Sequence, residues 1–250
     1  MTNPHPAHMP KIIAHRGASG TAPENTLAAI ARAAELGAEA VEFDATITAD
    51  GVPIVMHDFN LERCSDGDGP VVLKNLNAVQ KLDAGGWFAP EYAGERIPTL
   101  QQALDEVLSA GLYLNLELKP TLGWEEPTAR AVARVVSETW PNEKPILVSS
   151  MSTLALDVFH DLMPGVALGL IVYAIPENWH QRLKQHHCHS LHCYQDFVTY
   201  DLVQDIHAAD ARVHVYTVND TDKAKALFTM GVDAVFTDHP DRLSLEPSTI

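Results

Sequence analysis

The chain has 250 residues, is 46% hydrophobic and carries a net charge of −16 with histidine neutral. That excess of acid disfavours nucleic-acid phosphate and anionic lipid headgroups as partners, but it leaves room for a small anion held by local positive charge. The length suits a single α/β barrel, and no continuous apolar run reaches the ~18 residues that a bilayer span needs.

The first ten residues, MTNPHPAHMP, have neither the charge nor the apolar core of a signal peptide and are expected to form a flexible lead. From residue 11, strand-like and helix-like runs alternate. KIIAH (11–15) reads as a strand. NTLAAIARAAELG (25–37) reads as a helix, with Leu27, Ile30, Ala31 and Ala34 on one face, Asn25 or Thr26 as cap and Gly37 as stop. AVEFDATIT (40–48) and PIVMH (53–57) read as strands. Thr99 and Gln102 form a capping box for a helix over 99–110, and LYLNLELK (112–119) follows as a strand. Helices are then expected at 125–139, 152–162, 177–186, 199–209 and 221–230, and strands at 145–149, 166–172, 189–193, 212–218 and 233–237.

Alternating strands and helices imply a parallel sheet. PIVMH is the exception. Only ADGV separates it from the strand before, Asp-Gly signals a hairpin, and a parallel crossover needs about a dozen residues or more. It is therefore expected to run antiparallel as an extra hairpin strand. Eight parallel strands remain, the number of a (β/α)8 TIM barrel. The Gly-, Pro- and Asp-rich stretch 58–97 is expected to be a loop insertion above the barrel, within one domain covering 1–250, with too few periodic apolar positions for a core of its own.

If Asp50 and Gly51 form a two-residue loop, Asp44 stands opposite His57, and Glu42 shares that face. In LYLNLELK, Leu114, Leu116 and Leu118 alternate with Asn115, Glu117 and Lys119. Both faces of a parallel barrel are buried, so the polar face points into the lumen, toward the C-terminal rim where barrel enzymes keep their active sites. His15 and Arg16 reach the same rim at the end of the first strand. Three carboxylates there (Glu42, Asp44 and Glu117) must take up protons or be offset by a cation. Such a set, without cysteine, suits Mg²⁺ or Ca²⁺. Each residue alone fits an ordinary buried ion pair, such as Glu117 with Arg16 or Lys119. Structural economy does not predict the whole set at one mouth.

HRG (15–17), PENT (23–26), VEFD (41–44), DGVPIVMHD (50–58), NLELK (115–119) and GVDAVFTDHP (231–240) occur in an order that resembles the glycerophosphodiester phosphodiesterases, from about residue 12 to 243. LDAGGWF and IPTLQQAL in the insertion extend the match. The resemblance implies a (β/α)8 barrel that hydrolyses glycerophosphodiesters to an alcohol and sn-glycerol 3-phosphate. It matches His15 and His57 to a general acid/base pair, Glu42, Asp44 and Glu117 to divalent-metal ligands, Arg16 to a phosphate-contacting arginine and Lys119 to a basic residue near the phosphate. Where the family commonly has Trp-Thr-Val-Asn, this chain has YTVN, so Tyr216 would take the glycerol-side contact with a smaller ring and an added hydroxyl. The partner implied is a small glycerophosphodiester.

Other features carry less. The odd number of cysteines, Cys64, Cys188 and Cys193, argues against a disulfide scaffold and fits a reducing cytoplasm, without stable membrane association. HHCHSLHC (186–193) lacks the spacing of a zinc site, although His192 near a strand end could line the pocket. DGDG (66–69) lacks the later glutamate of a calcium loop and reads as a turn. Glu24 and Asn25 read as shaping and capping the next helix, and the family resemblance implies that they also support the site from behind. GWF (86–88) reads as core under the insertion or as a lid. A lipid-cleaving relative would need an apolar rim, and the insertion offers only Trp87, Phe88 and Tyr92. A non-enzymatic binding barrel would be expected to have lost a histidine or a carboxylate, and none is missing.

Overall fold

A computed structural model describes residues 8–243. The expected lead falls largely on residues 1–7, outside the described residues. The strands are β1 (Ile12–Ala14), β2 (Ala40–Ile47), β3 (Pro53–Val55), β4 (Tyr113–Leu118), β5 (Ile146–Ser150), β6 (Ala167–Val172), β7 (Cys188–Tyr194), β8 (Arg212–Tyr216) and β9 (Ala234–Thr237). The helices are α1 (Leu27–Glu35), α2 (Leu76–Val79), α3 (Leu100–Ala110), α4 (Glu125–Thr139), α5 (Thr153–Leu162), α6 (Trp179–Gln185), α7 (Tyr200–Ala208) and α8 (Thr221–Met230).

The parallel strands follow the order β1-β9-β8-β7-β6-β5-β4-β2, and β1 also pairs with β2, which closes the ring. β3 lies outside it, antiparallel to β2. The fold is a TIM barrel with one extra strand. Helix starts follow local chemistry. Thr26 caps α1 by accepting from the Ala29 amide. At α3 the Gln102 amide donates to Thr99 Oγ1 at 3.2 Å and the Thr99 amide donates to Gln102 Oε1 at 2.9 Å.

The hairpin register differs from the expectation. Ala45 pairs with Val55 and Ile47 with Pro53, while the Thr48 amide donates to the Val52 carbonyl at 3.1 Å. The loop is therefore Ala49-Asp50-Gly51, three residues with Gly51 at φ 73°, the left-handed position such a turn reserves for glycine. Asp44 stands beside Met56 instead, whose amide donates to the Asp44 carbonyl at 2.9 Å. β3 ends at Val55, and the bend that follows carries His57 to the barrel mouth. His57 reaches the site by leaving the ladder, not by facing Asp44 across it.

Alternation along each strand sorts the side chains. Val41, Phe43, Ala45, Leu114, Leu116 and Leu118 belong to the main core between strands and helices. Ile13, Ala40, Leu147, Ala167, Ala234 and Phe236 form a separate apolar plug in the lumen. Above that plug the same inward positions turn polar. The insertion buries more than a bare loop would. Leu61, Cys64, Val71, Val79, Ala84 and Ile97 gather around Ile54 and Met56 from the hairpin. GWF is not core: Trp87 is 42% exposed and donates its indole N–H to the Ala84 carbonyl.

Candidate active site

Inward positions at the C-terminal ends of the strands line a cavity of about 290 Å³. Of the residues expected from sequence, His15, Arg16, Glu42, His57, Glu117, Lys119 and Tyr216 all line it. Asp44, 1% exposed, lies beneath with Glu42 and Glu117. Parallel pairing sets Asp44 beside Glu117 and Glu42 beside Asn115, so the acids of two adjacent strands share one face. One oxygen from each of Glu42, Asp44 and Glu117 lies within 4.8 Å of the other two.

These acids are not comfortable together. Burial, then the charges of Asp44 and Glu117, drive the Glu42 carboxyl well above its usual range. Burial and Asp44 push Glu117 up to about 7, although Lys119 pulls the other way. Asp44 is held at about 2 despite its burial, because Lys119 and Arg16 stand beside it. Lys119 Nζ donates to Glu117 Oε1 at 2.8 Å and lies 3.6 Å from Asp44 Oδ1. Arg16 Nε is 3.5 Å from Asp44 Oδ2 and, though buried, has no hydrogen bond among the described residues. A buried all-oxygen cluster in which only one acid readily keeps its charge fits a hard divalent cation.

The HRG turn shapes the cluster. Arg16 (φ 55°) and Gly17 (φ 80°) are both left-handed. A Cβ on Gly17 would meet the Ala29 backbone at 2.6 Å, so only glycine fits there. The turn aims the Arg16 amide at Glu42 Oε2 (2.9 Å) and the Gly17 amide at the Glu42 carbonyl (3.1 Å). Asn25, also left-handed, clamps Asp44: its side-chain amide donates to Oδ2 at 2.9 Å, and its carbonyl oxygen accepts from the Asp44 amide at 3.1 Å.

Each rim histidine is tied by an aspartate. His15 Nδ1 lies 2.7 Å from Asp238 Oδ1. The Ser19 hydroxyl donates to that oxygen and Asn219 donates to Oδ2, at 2.9 and 2.7 Å. Burial opposes the charge on Asp238, but these three partners outweigh it and hold the carboxyl far below its usual range. His57 Nδ1 lies 2.6 Å from Asp58 Oδ1. Arg63 binds Asp58 through both oxygens (2.6 and 2.8 Å) and Glu24 through both oxygens (2.7 and 2.8 Å). Arg16 Nη1 donates to the same Glu24 at 2.8 Å, so one network joins the His57 side to the carboxylate cluster. Burial lowers the His57 pKa, with Arg16 and Lys119 adding to the effect and Asp44 and Asp58 opposing it. With Nδ1 committed on both rings, Nε2 is the atom each has left for chemistry.

Sequence reading named no role for Asp58, Asp238, Ser19, Asn219 or Arg63. Asp58 and Asp238 lay inside the quoted MHD and TDHP runs; adjacency to His57 was an available signal for Asp58, and Asp238 had no such signal. It also missed the aromatic half of the cavity, formed by Tyr173, Tyr194 and Phe236 beside Tyr216. His192 does line the cavity, fully buried, with Nε2 2.9 Å from Ser190 Oγ. Among the described residues no cluster of three or more metal-ligating groups occurs in HHCHSLHC.

The family model for the glycerophosphoryl diester phosphodiesterase family matches residues 15–242. A glycerophosphodiester phosphodiesterase of Caldanaerobacter subterraneus subsp. tengcongensis is 32% identical over 237 residues, covering 93% of this chain and 95% of the relative. An Oleispira antarctica phosphodiesterase solved in complex with the product sn-glycerol-3-phosphate superposes with a TM-score of 0.92 at 43% identity, covering 94% of this chain and 95% of that one. The glycerophosphodiester phosphodiesterase of Agrobacterium tumefaciens superposes with a TM-score of 0.81 at 27% identity, covering 94% and 99%. Together with the acid- and histidine-lined barrel mouth, these likenesses establish that the chain belongs to the glycerophosphodiester phosphodiesterase family of phosphoric diester hydrolases.

Proposed function

We propose that the protein hydrolyses glycerophosphodiesters to an alcohol and sn-glycerol 3-phosphate, with Mg²⁺ or Ca²⁺ held by Glu42, Asp44 and Glu117 and with His15 and His57 as base and acid. The observation that carries this reading is the pair of aspartate-tied histidines on the rim of one cavity that is also lined by Glu42, Glu117 and two basic side chains, with Asp44 clustered beneath. The cavity volume suits a small diester rather than a lipid with its tail. The acidic net charge further supports a small-molecule partner over nucleic acid or a membrane surface. Three unpaired cysteines support a cytoplasmic setting. We take the chain as one barrel domain, with 58–97 inserted beside its mouth.

Arg16 and Lys119 bind and orient the phosphoryl oxygens and offset their charge. A divalent cation at the three carboxylates would add Lewis-acid stabilisation of the same oxygens. His15 Nε2 takes the proton of the attacking hydroxyl, from water or from the substrate's own glycerol. Asp238 fixes the ring in the tautomer that leaves Nε2 free and stabilises the imidazolium that forms. His57 protonates the leaving oxygen. Its lowered pKa makes the charged ring a stronger acid, and the bound phosphodiester supplies negative charge that helps load it. The test is release of glycerol 3-phosphate from glycerophosphocholine, read by a coupled dehydrogenase, after chelation and again with each ion restored. Metal-restored release supports the proposal. No release under any condition rejects it.

A further inference from the structure

We propose that the aromatic rim formed by Tyr173, Tyr194 and Phe197 is a leaving-group subsite that selects diesters of quaternary-ammonium alcohols, of the choline class. This inference rests on the hydrolase reading above and adds headgroup specificity to it.

The cavity has two chemically different halves. Arg16, Lys119 and the acids lie on one side, and Ile171, Tyr173, Tyr194, Tyr216 and Met151 on the other. The aromatic half continues outward. Tyr173 is 59% exposed and Phe197 40%, and the two rings are in contact, so their exposed faces form one aromatic patch beside the cavity. Tyr173 stacks on Tyr194 with ring centres 5.0 Å apart, Phe197 meets Tyr173 edge-on at 5.3 Å, and Tyr194 meets Tyr216 at 6.2 Å. The rings brace one another, so little side-chain freedom is left to lose on binding.

A diester bound by its phosphate at Arg16 and Lys119 must send one substituent outward past these rings. A trimethylammonium group cannot donate hydrogen bonds and is attracted to aromatic faces. A primary ammonium keeps its water or seeks a carboxylate. The acid beside Phe197, Asp196, is exposed to solvent and faces Lys223 at 3.5 Å, and among the described residues no acid lines the aromatic half. The surface therefore favours the methylated cation over the primary amine. Tyr216 is excluded from the subsite because its hydroxyl is tied to the Val172 carbonyl at 2.9 Å and it sits deeper in the cavity.

The test compares kcat/KM for glycerophosphocholine and glycerophosphoethanolamine, which release the same glycerol 3-phosphate. The wild type should prefer the choline diester by about tenfold, the scale of a partly desolvated cation–π contact. Tyr173→Leu should bring the ratio to within about twofold of one, and Tyr173→Phe, which keeps the ring, should retain most of it. Tyr173 is exposed, so neither change threatens the fold. A wild-type ratio near one, or a ratio that Tyr173→Leu leaves unmoved, overturns the subsite while leaving the hydrolase intact. Turnover of neither diester overturns both.

Discussion

Replacing Asp238 with asparagine should disable His15 without unfolding the barrel, and the size of the effect follows from hydrogen-bond polarity. Asp238 Oδ2 accepts from the Asn219 side-chain amide at 2.7 Å, so the substituted residue must present its carbonyl oxygen there. Its amide nitrogen then takes the place of Oδ1, 2.7 Å from His15 Nδ1, where it donates to the ring. Nδ1 must give up its proton, and the neutral imidazole carries it on Nε2, the atom that has to accept. The Ser19 hydroxyl can turn to accept from the new amide, so the wrong arrangement is fully hydrogen-bonded and stable. The same tautomer reversal in the serine-protease triad lowers kcat ~10⁴-fold, and general acid–base contributions run from about 10² to 10⁴. We expect kcat to fall about 10³-fold, roughly 4 kcal/mol of transition-state stabilisation. The assay is glycerol 3-phosphate release with saturating divalent cation, alongside a thermal melt to show that the variant is folded. A folded variant within about threefold of wild type would refute the role given to the dyad.

Loss of the His57 imidazole in His57→Ala should also lower kcat by ~10² or more with the melt preserved, measured in the same assay. Acid acts on the buried histidines and on the buried glutamates in opposite senses. Burial holds His214 at about 4 and, with His214 beside it, His192 well below its ordinary 6.5. As pH drops from ~6.5 toward 4 the unfolded chain takes up these histidine protons first, which costs roughly 3 kcal/mol for His214 alone, whereas Glu117, at about 7, and Glu42 take up protons first in the folded chain and offset that loss. In chelator-stripped protein, Glu117→Gln removes part of that offset and should lose more Tm than the wild type between pH 7 and 4.5, and parallel profiles contradict the assignment. Thr99→Ala removes the α3 capping box and should cost about 1 kcal/mol, a drop of ~2–4 °C in Tm, without changing kcat.

Much of the fold and site was legible because alternation is a strong code. VEFDATIT and LYLNLELK each assign one face to the helices and the other to the lumen, and parallel pairing then brings Asp44 beside Glu117. The hairpin shows where such reasoning stops. Asp-Gly announced the turn, but two- and three-residue loops share that signal, and Gly51 can serve either. The wrong loop length predicted the wrong partner for Asp44. His57 was still correctly placed at the mouth because the strand ends two residues before it. Of the aspartates tying the histidines, Asp58 was within reach of pattern as the sequence neighbour of His57, but Asp238, 223 residues from His15, was not. The aromatic rim was invisible for a related reason. Tyr173, Tyr194 and Phe197 come from the ends of β6 and β7, and only the parallel pairing of these two strands brings them together.

The central claim is that Glu42, Asp44 and Glu117 hold one divalent cation between the two histidines. Titration calorimetry of the chelator-stripped protein with Mg²⁺ and with Ca²⁺ tests it most directly. The account predicts one site per chain for at least one of these ions, with affinity falling tenfold or more in Glu117→Gln, on the scale set by loss of a charged ligand. No binding of either ion, or binding unchanged in the Glu117→Gln protein, would contradict it.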